Sequence, residues 1–382
     1  MTVTVQLSLN GTPVPPAFYS SIESLEVEES YEGPDLLVLR VPVNRTSAGD
    51  LQYVGDGTFE PYTGISMVVT PSGQGAQCVF DGYVLSWQLH LDRSSSSSTL
   101  DVAAQDASWL MNIDDTVMEW PGQTDGQVAN AIFGSYGFTP ADANTDDDSP
   151  AHDPDGHSLF QRATDLQFLK GLARRAGKIC RVACTDTAGQ RTGYFIRPSV
   201  DAQPVATISL VDPNAWTVEK LEFDWDVMRP SQVDASQVDL TEAADDGTET
   251  DTDSSGLTNL ADRDLPTYSG LSSTLLLTTP ADVAELPQRT AAVLTESGFF
   301  TRCTGEADAQ RLGAVLRAGD VVTVEGAGAI HSGNWLVWGV RHHFALDTFK
   351  MRFTLVRNGV GSAPAGTGGL ASAAAGALGG AL

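Results

Sequence analysis

Over its first 110 residues the chain places apolar side chains at every second position in short runs: Leu37, Leu39, Val41 and Val43; Ile65, Met67 and Val69; Tyr83, Leu85, Trp87, Leu89 and Leu91; Leu100, Val102 and Ala104. Successive side chains leave a strand on opposite sides, so period two is the mark of a strand with one buried and one wetted face. Gly33-Pro34, Asp56-Gly57, Pro71-Ser72-Gly73 and the serine run 94–98 interrupt the alternation with residues that turn the chain. Short one-faced strands at this spacing predict an antiparallel barrel or sandwich.

From about 111 to 204 the period changes. Thr124 with Gln127 three residues on has the form of a capping box, ahead of Val128, Ala131 and Ile132. Thr164 and Gln167 repeat the device ahead of Leu166, Leu169, Leu172, Ala173 and Ala176, and Gly177 supplies a stop. Two short strands at 179–183 and 193–197 complete a small α+β unit, with a polar, exposed loop at 142–157. Strand character returns at 208–210 and 216–225, where Leu221, Phe223 and Trp225 share a face. An acidic connector at 241–259 is too polar to pack, a helix at 280–297 starts near Pro280-Ala281-Asp282, and alternation resumes at Val322, Val324, 335–340, Met351, Phe353 and Leu355. Residues 361–382 carry no charge and read as a flexible arm.

Charge and motifs narrow the function. With 22 Lys and Arg against 49 Asp and Glu, the chain has a formal charge of −27 and no basic cluster beyond Arg174-Arg175, which excludes binding to nucleic acid through phosphate contacts. No run approaches the roughly 20 apolar residues of a membrane span, and the opening residues alternate like a strand instead of forming a leader. The catalytic signatures G-x-S-x-G, H-E-x-x-H and the phosphate-binding Gly-rich loops are absent. Four cysteines, Cys78, Cys180, Cys184 and Cys303, are too scattered for a disulfide framework and read as buried thiols. His342 and His343 are neighbours on a strand and must point to opposite faces. One weak metal candidate remains: Asp251, Asp253, Ser255, Gly256, Asn259 and Asp262 stand at positions 1, 3, 5, 6, 9 and 12 of a calcium-loop spacing, but Thr258 and the final Asp depart from the pattern. No cofactor is expected.

One internal echo stands out. Phe80-Asp81-Gly82-Tyr83-Val84 leads into a Trp-bearing strand, a polar turn and the strand 99–102. Ser332-Gly333-Asn334-Trp335-Leu336-Val337 leads into a strand, a turn at Asp347-Thr348 and the strand 351–356. Both run Gly, apolar strand, turn, apolar strand.

Several segments together resemble the hub proteins of contractile phage tails and related injection systems, the late control protein D family, related to the hub portion of VgrG-type spikes. They are Ile22-Glu23-Ser24-Leu25-Glu26-Val27-Glu28, Val79-Phe80-Asp81-Gly82-Tyr83-Val84, Thr99-Leu100-Asp101-Val102 with Asp106-Ala107-Ser108-Trp109-Leu110, and, most specifically, Thr164-Asp165-Leu166-Gln167-Phe168-Leu169 through Leu172-Ala173-Arg174-Arg175 to Gly177. Ala318-Gly319-Asp320-Val321-Val322 and Ser332-Gly333-Asn334-Trp335 through Arg341-His342-His343-Phe344 to Asn358 complete the order.

The resemblance implies a mainly β subunit with an α+β insertion and two similar antiparallel β-barrels. It divides the chain into a first barrel at 1–110 completed by about 205–240, an insertion at 111–204, the acidic connector at 241–262, a helix and second barrel at 263–360, and a tail at 361–382. The implied function is a non-enzymatic baseplate or tail-tip hub, a homotrimer joining a sixfold tail tube to a separate threefold spike among other baseplate components, assembled in the host cytoplasm and resident in the virion tail or injection-system baseplate. A negatively charged channel is expected to ease passage of acidic cargo. The alternatives are a tail-associated cell-wall-degrading enzyme, for which no spare block of residues is evident, and a carbohydrate-binding β-module.

Overall fold

The computed structural model describes residues 3–362 apart from 94–97, 147–148, 154–157, 238–247, 279–282 and 346–347. The alternating first segment forms β1 (Val3–Leu9), β2 (Thr12–Pro13), β3 (Ser24–Ser30), β4 (Leu36–Pro42), β5 (Gly64–Pro71), β6 (Gln77–His90) and β7 (Thr99–Asp106). In β4 the pattern is realised directly: Leu37, Leu39 and Val41 are buried while Leu36, Val38 and Arg40 face outward.

The insertion follows with β8 (Asp115–Glu119), the helix Asp125–Ser135, β9 (Thr139–Pro140), β10 (Phe160–Thr164), the helix Asp165–Ala176, β11 (Ile179–Cys184) and β12 (Arg191–Ile196). β8 pairs with β10 and β11 with β12, both antiparallel, and β9 joins β12 in parallel. The first capping box is complete: the Thr124 hydroxyl accepts from the Gln127 N–H, and the Gln127 side chain accepts from the Thr124 N–H. Thr164 caps the second helix through the Gln167 N–H, and Gly177 closes it at φ +64. A Cβ at Gly177 would lie 2.9 Å from Ala292 Cα, so this glycine also lets the helix end approach the helix Leu286–Gly298. The expected start of that helix at Pro280-Ala281-Asp282 lies outside the described residues, as do residues 363–382 of the expected tail.

The remaining strands are β13 (Ala206–Ser209), β14 (Lys220–Trp225), β15 (Gln232–Gln237), β16 (Thr248–Thr252), β17 (Thr274–Thr278), β18 (Thr301–Asp308), β19 (Val321–Glu325), β20 (Gly333–Ala345) and β21 (Thr348–Arg357). The connector is more ordered than its charge predicts. Residues 241–247 lie outside the described residues, but β16 pairs antiparallel with β15, which pairs in parallel with β17. Alternate threonines at 248, 250 and 252 supply the β-branched residues that suit an extended chain and outweigh the interleaved acids.

Thirteen strands form one continuous sheet in the order β14-β18-β21-β20-β3-β4-β7-β6-β5-β1-β2, with β19 and then β13 branching from β20. The pairing corrects the expected pair of barrels, because no ladder closes either half on itself among the described residues. The cause lies in β20. Thirteen residues long, it pairs with β19 through Gly333–Leu336 and with β3 through Gly339–Phe344 along the same edge, so the halves share a strand. Nor do residues 205–240 complete the first half: β13 pairs with β19 and β14 with β18.

The two halves repeat each other. The order β1-β5-β6-β7-β4-β3 in one corresponds to β13-β19-β20-β21-β18-β14 in the other, and each set occurs in the same order along the chain. Each long hairpin carries a bulge at the same place, after Val84↔Ala104 in β6–β7 and after Val337↔Leu355 in β20–β21. Counting from these bulges, Arg40–Asp101 and Glu306–Arg352 fall at equivalent positions, and both are ion pairs, 2.6 and 3.0 Å, with the charges exchanged between strands. The exception is the sixth strand: β1 runs antiparallel to β5 while β13 runs parallel to β19.

Candidate functional site

β3 enters the sheet between β4 and the second part of β20, and this seam joins the halves. On its outer face Arg341 pairs with Glu28, and His343 Nδ1 lies 3.2 Å from Glu26. On its inner face the alternation Leu25, Val27 ends in Glu29, and Val340 and Phe344 flank His342. His342 is fully buried while His343 is partly exposed, as neighbours on a strand must be.

Glu29 Oε1 accepts from Arg317 Nε at 2.6 Å and stands 3.0 Å from His342 Nε2. Arg181 of β11 donates to the Ala318 carbonyl at 2.8 Å and reaches Asp35 at 3.4 Å and Glu29 at 3.8 Å. Asp35 accepts from the Ser30 N–H, and its own N–H donates to Asp106 at the end of β7. Both halves and the insertion therefore converge on one buried ionic cluster. Burial alone would raise the Glu29 carboxyl, but the Arg317 guanidinium, with His342 and Arg181, holds it down at about 2. Burial raises Asp35 to about 8, with Glu29 and Asp106 adding to the effect and Arg181 opposing it.

The two carboxyls have opposite linkage. Asp35 is favoured neutral in the fold, so its contribution is full below its ordinary value of 3.8 and is lost as pH rises through about 8. Glu29 is favoured ionised, so its contribution is present above 4.5 and lost as pH falls toward 2. Thermal melts of the wild type and Asp35→Asn should therefore diverge between about pH 4 and about pH 8, the wild type losing ground as the pH rises. Parallel curves would remove Asp35 from this role.

The insertion docks on β6 through a second set of contacts. Arg191 grips Asp81 with Nε at 3.1 Å and Nη2 at 3.0 Å and donates to the Tyr83 hydroxyl, and the Cys78 N–H donates to the Thr185 carbonyl. All four cysteines are free and buried.

The calcium-loop spacing begins in a strand and continues through irregular chain. Asp251 lies in β16 opposite Asp234, Asp253 is exposed, and the Ser255 carbonyl accepts from Arg197 at 3.2 Å. The Asp262 carboxylate lies 4.0 Å from Arg263. Among the described residues no group of three or more His, Cys, Asp and Glu is placed to hold a metal. Sequence reasoning passed over the ionic cluster, whose signal was the charged residue on the inner face of each seam strand, Glu29 after Val27 and His342 after Val340.

No curated protein matches the chain in sequence. A family model does, the Alg8 N-terminal domain, over residues 1–345. The chain belongs to this family. In structure the family's fold in this chain is that of phage tail proteins. A tail protein from Neisseria meningitidis superposes with a TM-score of 0.63 at 15% identity, covering 94% of this chain and 98% of that one. The 43 kDa tail protein of prophage MuSo2 from Shewanella oneidensis gives 0.62 at 15%, covering 94% and 99%. An E. coli component of the type VI secretion system, described as similar to the T4 bacteriophage tail proteins gp27 and gp5, gives 0.55 at 13%, covering 94% and 79%. Among the described residues no helix is long and apolar enough to cross a membrane.

Proposed function

We propose that the chain is a structural hub subunit of a contractile tail or injection system, a homotrimer that meets the sixfold tail tube on one side and a separate threefold spike on the other. The observation that carries this reading is the repeat. Two topologically equivalent half-sheets in one chain give three chains six equivalent elements around an axis, the arrangement that reconciles threefold with sixfold symmetry. The hub's work is mechanical: the ionic cluster pins the halves and the insertion together, and the assembly holds tube and spike without catalysis.

The outer sheet face pairs its charges, Arg40 with Asp101, Arg341 with Glu28, and Lys350 and Arg352 with Glu306. A channel lined by this face is mixed in sign, in place of the uniformly negative lining that the net charge suggests. Mass photometry of the purified chain should give about 121 kDa, three times 40.4 kDa. A species that stays at the mass of one chain, and that binds neither tube nor spike protein, would contradict the reading.

A further inference from the structure

The in-chain seam has an unfilled counterpart. Within the repeat β3 corresponds to β14 and the second part of β20 to the second part of β6. β3 and β20 pair with each other. β14, by contrast, pairs only with β18, and residues Ser86–His90 of β6 pair only with β7, so among the described residues each presents an open edge. Open strand edges are templates for another strand.

We propose that β14 of one copy adds to the free edge of β6 of the next, in the register that the in-chain seam dictates. The bulges equate Gly339–Phe344 with residues 86–91, and the ladders to β4 and β18 equate Leu25, Val27 and Glu28 with Leu221, Phe223 and Asp224. Transferring Arg341↔Glu28 and His343↔Glu26 then sets Gln88 opposite Asp224 and His90 opposite Glu222. The acidic outer face of β3 is thus reproduced on β14, and the histidine–carboxylate pair of the first seam recurs in the second.

The inner face gives an independent reason. Beyond its bulge β6 turns Trp87 and Leu89 toward the side of the core strands Val102 and Leu100, yet Trp87 remains 45% exposed and Leu91 60%. On β14, Trp225 is 52% exposed. The transferred register sets Trp87 opposite Trp225, so two indoles left uncovered in one copy cover each other between two, and it sets the exposed Leu91 opposite the partly buried Leu221. The two edges are different surfaces of one chain. The contact is therefore head-to-tail and closes only as a ring. This inference rests on the trimeric hub reading, in which three in-chain and three between-chain seams alternate.

The test is disulfide trapping in the full chain, whose native cysteines are buried. Gln88 and Asp224 are both exposed, so Gln88→Cys with Asp224→Cys leaves the core intact. Directly opposed antiparallel residues have Cα atoms about 4.5–5.5 Å apart, within disulfide reach. Under mild oxidation most of the chain should run as reductant-sensitive multiples of 40.4 kDa. Gln88→Cys with Lys220→Cys, four residues or about 13 Å out of register, should stay at the mass of one chain. A trimer by mass photometry that does not cross-link in register, or that cross-links equally in both variants, overturns this seam and leaves the hub reading standing. An uncross-linked wild-type monomer overturns both.

Discussion

Glu29→Ala is expected to lower the unfolding free energy in urea by about 3–5 kcal/mol, because it leaves buried guanidinium charge without its carboxylate. Arg317 loses its 2.6 Å partner, Arg181 keeps the Ala318 carbonyl and, as its one remaining carboxyl, Asp35, which burial holds neutral, and His342 loses its Nε2 contact. Glu28 is the control one residue away. Its partner Arg341 is half exposed, and removing an exposed pair costs about 0–1 kcal/mol. Equal effects at the two positions would show that the cluster does not hold the seam.

Trp335→Ala is expected to cost about 3–5 kcal/mol by the same measurement. Trp335 is fully buried in the second half, its indole N–H donates to the His331 carbonyl at 2.9 Å, and the Arg357 guanidinium lies 5.7 Å from its ring centre. Truncation leaves a large cavity and an unsatisfied carbonyl together. Trp335→Phe, which fills most of that volume, should retain most of the stability. A small loss from the alanine variant would mean that the second half can collapse around the cavity.

Trp335 also marks the limit of what could be read from the sequence. The echo between 80–84 and 332–337 is a true correspondence of hairpins, but the glycines suggest a wrong register. The bulges align Gly82 with Trp335 instead of Gly333. A Cβ at Gly82 would lie 2.0 Å from the Gln105 carbonyl oxygen, so the first half has a close backbone approach where the second has its largest buried side chain. Equivalent positions therefore carry opposite residue types, and only hydrogen-bond register exposes the match.

Local signals translated well. The alternation of Leu37, Leu39 and Val41 and the caps at Thr124, Thr164 and Gly177 depend on neighbours in sequence, and each appears where expected. The run Tyr83, Leu85, Trp87 and Leu89 is not one face, because the bulge after Val84 changes the phase. The seam between β3 and β20 joins residues more than 300 positions apart and follows from the length of β20, which no local pattern records. The ionic cluster was visible only as breaks in alternation at Glu29 and His342. Of its partners Asp35 follows six residues after Glu29, but Arg181 and Arg317 come from two distant segments, and the meeting with Arg181 depends on how the insertion docks.

The most direct test of the hub reading is electron microscopy of the purified chain, alone and with its tail tube protein. The repeat predicts ring-shaped particles with threefold averages and a six-lobed outline that cap the tube at one end. Particles of one chain without a ring, or rings whose outline has three lobes instead of six, would contradict it.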